Sequence, residues 1–194
     1  PALASRRLLI EQERALTETL YHISRGLSAA SDVGEQLQIL AHPAMDAGMS
    51  TASLLYVDAN QENEPEWVEI VAHWQQEGES SIPVGSRFYL PEFPLADLWV
   101  AGSDRAQFIA DVTTDERVNK SAGDLLGQSD TRALVTIPLT QGGQWVGLIT
   151  FGWTDTHEFS EQEIEIYNAL IGLASPSVAG RRLGHIEAWS ASAL

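Results

Sequence analysis

Thr131–Trp153, TRALVTIPLTQGGQWVGLITFGW, is the stretch whose reading decides the fold. Gly142 and Gly143 can both take positive φ, the requirement of a two-residue type I′ turn, and the runs on either side are apolar and rich in β-branched residues. The stretch reads as a β-hairpin. Folded about that turn, its two arms set Leu139 across from Val146 and Ile137 across from Leu148 on one face. On the other they set Leu134, Thr136 and Pro138 across from Phe151, Ile149 and Gly147. Both faces are then largely apolar and both need cover, which places the hairpin in mid-sheet. Pro138 has no amide hydrogen and fits only a bulge or a non-bonded position. Just downstream, Ser160 with Glu163 three residues on spells a capping box. The helix it opens carries Ile164, Tyr167, Ile171, Ala174 and Val178 in one stripe, and Pro176 is expected to bend it.

Upstream, the chain opens with a helical segment from about Leu3 to Ala30, in which Leu9, Leu16, Leu20, Ile23 and Leu27 recur at helical spacing. From Leu20 onward the favoured reading is packing on its own domain; the first half reads equally as a coiled-coil seam, interrupted by Glu13 at an a position. Asp32 is the expected N-cap of a second helix, with Glu35 as capping-box partner, Pro43 as a kink and Gly48 as its stop. Strands are expected at Ala52–Asp58 and Glu66–Trp74. In the second, Val68, Ile70, Ala72 and Trp74 alternate with Trp67, Glu69, Val71 and His73, and the mixed face suits a wall of a polar cavity. A short strand at Ser86–Leu90, a short helix at Phe93–Val100, a strand-like run at Ala106–Val112 and a brief helix at Ala122–Leu126 complete the chain. The pattern gives an α+β fold: an antiparallel sheet of about five to six strands, N- and C-terminal helices on one face, and short helices and loops forming a pocket on the other.

Composition narrows the functions. A chain of 194 residues can bury a core as one domain with extensions. Its formal charge of −16, with a single lysine, Lys120, disfavours nucleic acid and anionic membranes. The absence of cysteine removes disulfides, thiolate metal sites, thiol nucleophiles and thioether-linked pigments. No run approaches the length of a membrane span and no signal peptide is visible, so a cytoplasmic location is expected. The chain begins with Pro1, which suggests a piece of a longer protein.

The run RALVTIPLTQGGQWVGLITFGW followed by HEFSEQEIEIYNALIGLAS resembles the C-terminal half of a GAF domain, the small sensory fold of bacterial signalling proteins, phosphodiesterases and phytochromes. Upstream, ASLLYVD resembles the family's first strand, VEIVAHW its second, and FIADVTTDERVN its segment beside the ligand pocket, so that the likeness covers about Asp32 to Arg182. The resemblance implies a GAF/PAS-like, profilin-like fold. It divides the chain into a signalling and dimerisation helix at 1–30, the GAF domain at 31–182 and a helical extension or tail at 183–194. Without cysteine, relatives that act as methionine sulfoxide reductases or hold bilins through a thioether are excluded.

No hydrolase elbow, P-loop, dinucleotide fingerprint or HExxH motif occurs, and the five histidines lack metal-ligand spacing. A haem would need His73, for which an ordinary histidine is the favoured reading. His22 and His185 lie on the terminal helices without the acidic-then-proline context of a phosphoacceptor. Asn119-Lys120 gives half of the cyclic-nucleotide signature, since no Phe and Asp-Glu follow at the family's spacing. Ligand-binding candidates are His73, Tyr89, Trp99, Asp111, Arg117, Arg132, Thr136 and Trp153, with a structural turn and ion pair favoured for Asp111, Asp115 and Arg117. Dimer-helix candidates are Leu9, Leu16, Leu20, Ile23, Ile171 and Val178. The expected function is that of a non-catalytic sensory or regulatory module of a larger bacterial signal-transduction protein, for example a sensor histidine kinase. It would be a homodimer linked to upstream and downstream signalling domains, holding a small molecule of unknown identity or responding to a neighbouring domain. The alternatives are a ligand-free dimerisation module, then a cyclic-nucleotide-binding domain, and last an enzyme.

Overall fold

The computed structural model describes residues 2–78 and 83–192, with side chains as far as residue 184. Helix α1 (Ala2–Ala29) and helix α2 (Val33–Asp46) lead into strands β1 (Thr51–Ala59), β2 (Pro65–Gln75) and β3 (Arg87–Tyr89). A 3-10 turn at Leu90–Glu92, α3 (Ala96–Trp99), β4 (Gln107–Ile109) and α4 (Lys120–Gln128) follow, then β5 (Ala133–Gln141), β6 (Gln144–Trp153) and α5 (Glu161–Ser192). The six strands form one sheet in the order β3-β2-β1-β6-β5-β4, antiparallel throughout. The hairpin β5–β6 sits inside it, as its two apolar faces require.

Gly142 and Gly143 turn at φ +59° and +78°, and the first pairs, Gln141 with Gln144 and Thr140 with Trp145, are those of a two-residue turn. Beyond them the expected register fails. Val146 is an extra residue, Leu139 pairs with Gly147, and every later pair is displaced by one. Because a strand alternates its side chains, one extra residue exchanges the faces of everything past it. Val135, Ile137 and Leu139 therefore share a face with Gly147, Ile149 and Phe151, while Leu134, Thr136 and Pro138 share the other with Leu148, Thr150 and Gly152. Pro138 lies past the end of β4, whose pairing stops at Thr136, so β5 has an open side there for a residue with no amide hydrogen.

A second bulge corrects the reading of β2. Leu54 pairs with Ala72 but Leu55 with Ile70, which leaves Val71 over. Val68 and Ile70 pack on one side of the sheet, Ala72 and Trp74 on the other, and His73 joins the side of Ile70.

The sheet thus separates two cores. On one face Leu54, Phe151, Ile149 and Ile137 pack under α2 and α5, with Leu37, Leu40, Tyr167, Leu170 and Val178 buried against them. On the other, Leu55, Val68, Ile70 and Leu148 pack under Leu90, Leu95, Leu98, Trp99 and Leu126. Helix α2, rather than α1, shares the sheet face with α5; α1 lies on α2 and α5 and sends Ile23 and Leu27 into their core. Its first turns carry Leu3, Leu8, Leu9 and Ile10 exposed.

Local chemistry sets the helix ends. Asp32 Oδ1 accepts from the Glu35 amide, while Glu35 reaches back to the Ser31 amide, one residue earlier than a standard capping box. At the far end of α2 the Gly48 and Met49 amides donate to the Met45 and Ala44 carbonyls with Gly48 at φ +83°, a Schellman close. Ser160 and Glu163 exchange both bonds of a capping box. Helix α5 continues through Pro176 and runs to Ser192.

Candidate functional site

The two bulges have a joint product. With Val146 and Val71 each set aside, Thr136, Thr150, Ser53 and His73 become cross-strand partners in one row over β5, β6, β1 and β2. The row runs across an otherwise apolar face. Thr136 is spent on structure, donating to the Leu98 carbonyl at 3.3 Å. Ser53 and His73 share a hydrogen bond of 2.8 Å between Oγ and Nδ1. Burial pushes the His73 pKa below its ordinary 6.5, against a raising hydrogen bond with the Gln75 side chain, so the imidazole is neutral at pH 7.

Ser53, His73 and Thr150 form the floor of a cavity of 480 Å³, a volume that suits a small organic molecule. Phe88 of β3, Phe93 at the end of the 3-10 turn and, from α3, Trp99 wall one side, with Phe93 packed on both aromatic neighbours at centroid distances of 4.5 and 4.8 Å. Leu125 and Leu126 of α4 close the other side, and Gln128, Ser129, Asp130 and Thr131 line its polar mouth.

Among the eight residues the sequence singled out as ligand contacts, His73 and Trp99 line this cavity and six do not. Tyr89 points to the sheet edge and packs on Trp67 at 5.1 Å, and Thr136 lies buried beneath Leu98. Trp153 belongs to the opposite core, where Nε1 donates to the Ala47 carbonyl and the ring stacks on His157 at 4.5 Å. Arg117 pairs with Asp115 and donates to the Phe108 carbonyl, which fixes the turn between them. Asp111 accepts from Arg132 at 2.8 Å and from the Thr113 hydroxyl at 2.7 Å; these bonds hold its carboxyl well below the usual carboxylate range. Arg132 lines a separate groove beside Lys120. Asn119 of the half signature is the N-cap of α4, accepting from the Ala122 amide.

Of the dimer-helix candidates, Ile23 and Val178 are consumed by the chain's own core, Leu16, Leu20 and Ile171 are partly covered, and Leu9 stays exposed. The side chain of His185 lies outside the described residues. Among the described residues no group of three or more His, Asp or Glu could hold a metal ion, and no helix is long and apolar enough to cross a membrane.

A feature the sequence reading missed joins the sheet to the helices. The β1–β6 pairing ends at Tyr56 and Gly147, just where Val146 bulges, so the two strands fork. Arg182 of α5 fills the fork. Its Nη1 donates to the Val57 carbonyl at 2.6 Å and the Val146 carbonyl at 2.8 Å, its Nη2 donates to Asp58, and the guanidinium lies over the Tyr56 ring. The other Asp58 oxygen accepts from Arg87 at 3.0 Å, next to Phe88 of the cavity wall. Arg181 donates to the Ala30 and Ser31 carbonyls at 2.6 and 2.7 Å, where α1 ends. Two adjacent arginines thus tie α5 to the sheet and to the other terminal helix.

Fold and site together define an α+β domain with a roofed cavity on one sheet face and its terminal helices on the other. The GAF domain family model matches residues 30–178, and the chain belongs to that family. Solved GAF domains share the fold. That of an Acinetobacter phosphoenolpyruvate-protein phosphotransferase is 16% identical with a TM-score of 0.65, over 88% of this chain and 98% of that one. The equivalent domain from Coxiella burnetii is 18% identical with a TM-score of 0.66, over 88% and 96%. A phycocyanobilin-bound GAF domain from a cyanobacterial phytochrome is 15% identical with a TM-score of 0.66, over 88% and 97%. No curated protein matches the sequence.

Proposed function

We propose that the chain is a non-catalytic sensory module of a larger bacterial signal-transduction protein, a histidine kinase being one such parent. In this reading it holds a small molecule in the cavity and passes occupancy to its terminal helices. The observation that carries this reading is Asp58, whose two oxygens join Arg87, beside the cavity wall, to Arg182 on α5. A guest that moves Phe88 shifts Arg87, and the shared carboxylate transmits the displacement to the helix that leaves the domain. Such a device needs two packings of α5 against the sheet, each favoured by one state of the cavity.

Helix α1 supplies the second half of the reading. Leu8, Leu9 and Ile10 are each more than half exposed on a helix whose later turns are packed, and a second copy of the chain is the proposed cover. The module then works as a cytoplasmic homodimer in which α1 pairs with its counterpart. Mass spectrometry of molecules that copurify with the dimer, together with light scattering at tens of micromolar, tests both halves. A monomer with intact helices removes the dimer, and a protein that purifies empty and binds no small molecule removes the sensing role.

A further inference from the structure

Few charged side chains line the cavity. Among the described residues, no lysine or arginine lines it, and residues 79–82, Glu-Ser-Ser-Ile, contain none either. Arg132 and Lys120 line the neighbouring groove, which shares only Asp130 and Thr131 with the cavity, and Arg132 is already bound to Asp111. The remaining polar side chains are Ser53, Thr150 and His73 along the floor, Thr51 and the exposed Gln75 beside them, and Gln128, Ser129, Thr131 and the exposed Asp130 at the mouth. Each of the floor groups is neutral and can both donate and accept, or choose by tautomer or rotation.

We propose that the cavity takes an uncharged planar heteroaromatic molecule and turns away its anionic counterparts. This rests on the sensing reading above. An anion entering would shed its water with no cation to replace it, under the field of a chain carrying a formal charge of −16. A neutral ring loses little water from its faces, which meet the Phe88, Phe93 and Trp99 wall, and its amide-like edge exchanges water for the Ser53–Thr150–His73 row. A cation has only Asp130 to gain, and that carboxylate stands in solvent.

The test uses probes matched in shape and different in charge: nicotinamide, nicotinate and 1-methylnicotinamide; indole-3-acetamide and indole-3-acetate; adenosine and 3′,5′-cyclic AMP. Binding to the full chain is read by tryptophan fluorescence and by thermal shift. The uncharged member of at least one set is expected to bind about tenfold tighter than its charged partners, the scale set by one buried unpaired polar group. Ser53→Ala should weaken the uncharged probe, and Gln128→Lys, which sets a cation at the mouth, should narrow the gap to the anion. Tighter binding of the anionic members overturns the proposal and leaves the sensing role standing. Binding by none of them overturns both.

Discussion

Replacing Arg182 with alanine tests the union of helix and sheet at its narrowest point. The guanidinium is largely covered, with the side chain 19% exposed, and it serves two carbonyls that the sheet itself leaves unpaired at the fork. Val57 and Val146 are buried, so no water replaces the lost donor without the fork opening. An unsatisfied buried acceptor costs about 1–3 kcal/mol. Asp58 adds little to the sum because it is half exposed and keeps Arg87. The two acceptors together come to about 2–6 kcal/mol, which for a domain of this size lowers Tm by roughly 4–24 °C. Thermal unfolding followed by circular dichroism measures it. Arg182→Lys, which keeps the charge and loses the fork geometry, should fall between. Arg14→Ala serves as the control, since its ion pair with Glu18 stands in solvent and the change should lie within about 0.5 kcal/mol of zero. A Tm within about 2 °C of the parent in Arg182→Ala would refute the reasoning, because the two carbonyls would then have found other partners.

Gly147→Ala places a methyl 2.7 Å from the Leu55 carbonyl oxygen, on backbone that cannot turn aside; the urea midpoint should fall by an amount equivalent to about 1–3 kcal/mol, and an unchanged midpoint contradicts the packing. His73 has its folded-state pKa lowered by burial, so the unfolded chain binds the proton first as pH falls. Stability is therefore full above the ordinary 6.5 and declines below it towards the folded pKa, a slope that urea titrations should show and that His73→Gln should flatten. Ser160→Ala removes one bond of the α5 capping box and should cost about 1 kcal/mol in the same assay. Leu9→Glu leaves the monomer's packing untouched, since Leu9 is 59% exposed, and should shift light scattering towards the monomer at a given concentration.

Features that one stretch of chain determines by itself were legible in the sequence. Gly142-Gly143 set the turn, Asp32 and Ser160 set the helix starts, Gly48 set a helix end, and apolar runs marked the strands. What escaped was the register, because strict alternation carries no sign of an extra residue. The bulges at Val146 and Val71 are decided by pairing with β5 and β1, and they move Thr150 and His73 to the face on which Ser53 waits. Ser53 and Thr150 were nevertheless visible as lone hydroxyls inside the apolar runs ASLLY and LITF. Arg181 and Arg182 escaped for a different reason. A helix stripe drawn through apolar positions ignores a long cation whose stem lies along the packed face while its head reaches back to the sheet. The adjacent pair, near the end of a chain with few basic residues, was the available signal.

The cavity and the departing helix are joined, in this account, through Phe88, Arg87, Asp58 and Arg182. Amide hydrogen exchange of the full chain, with and without the uncharged probe that binds tightest and with occupancy verified by tryptophan fluorescence, tests that directly. The account predicts altered protection at Tyr56–Asp58 and along 178–184 of α5 as well as in the cavity floor, and loss of the α5 response in Asp58→Asn. Altered protection confined to the cavity floor, in a protein shown to be occupied, would contradict it.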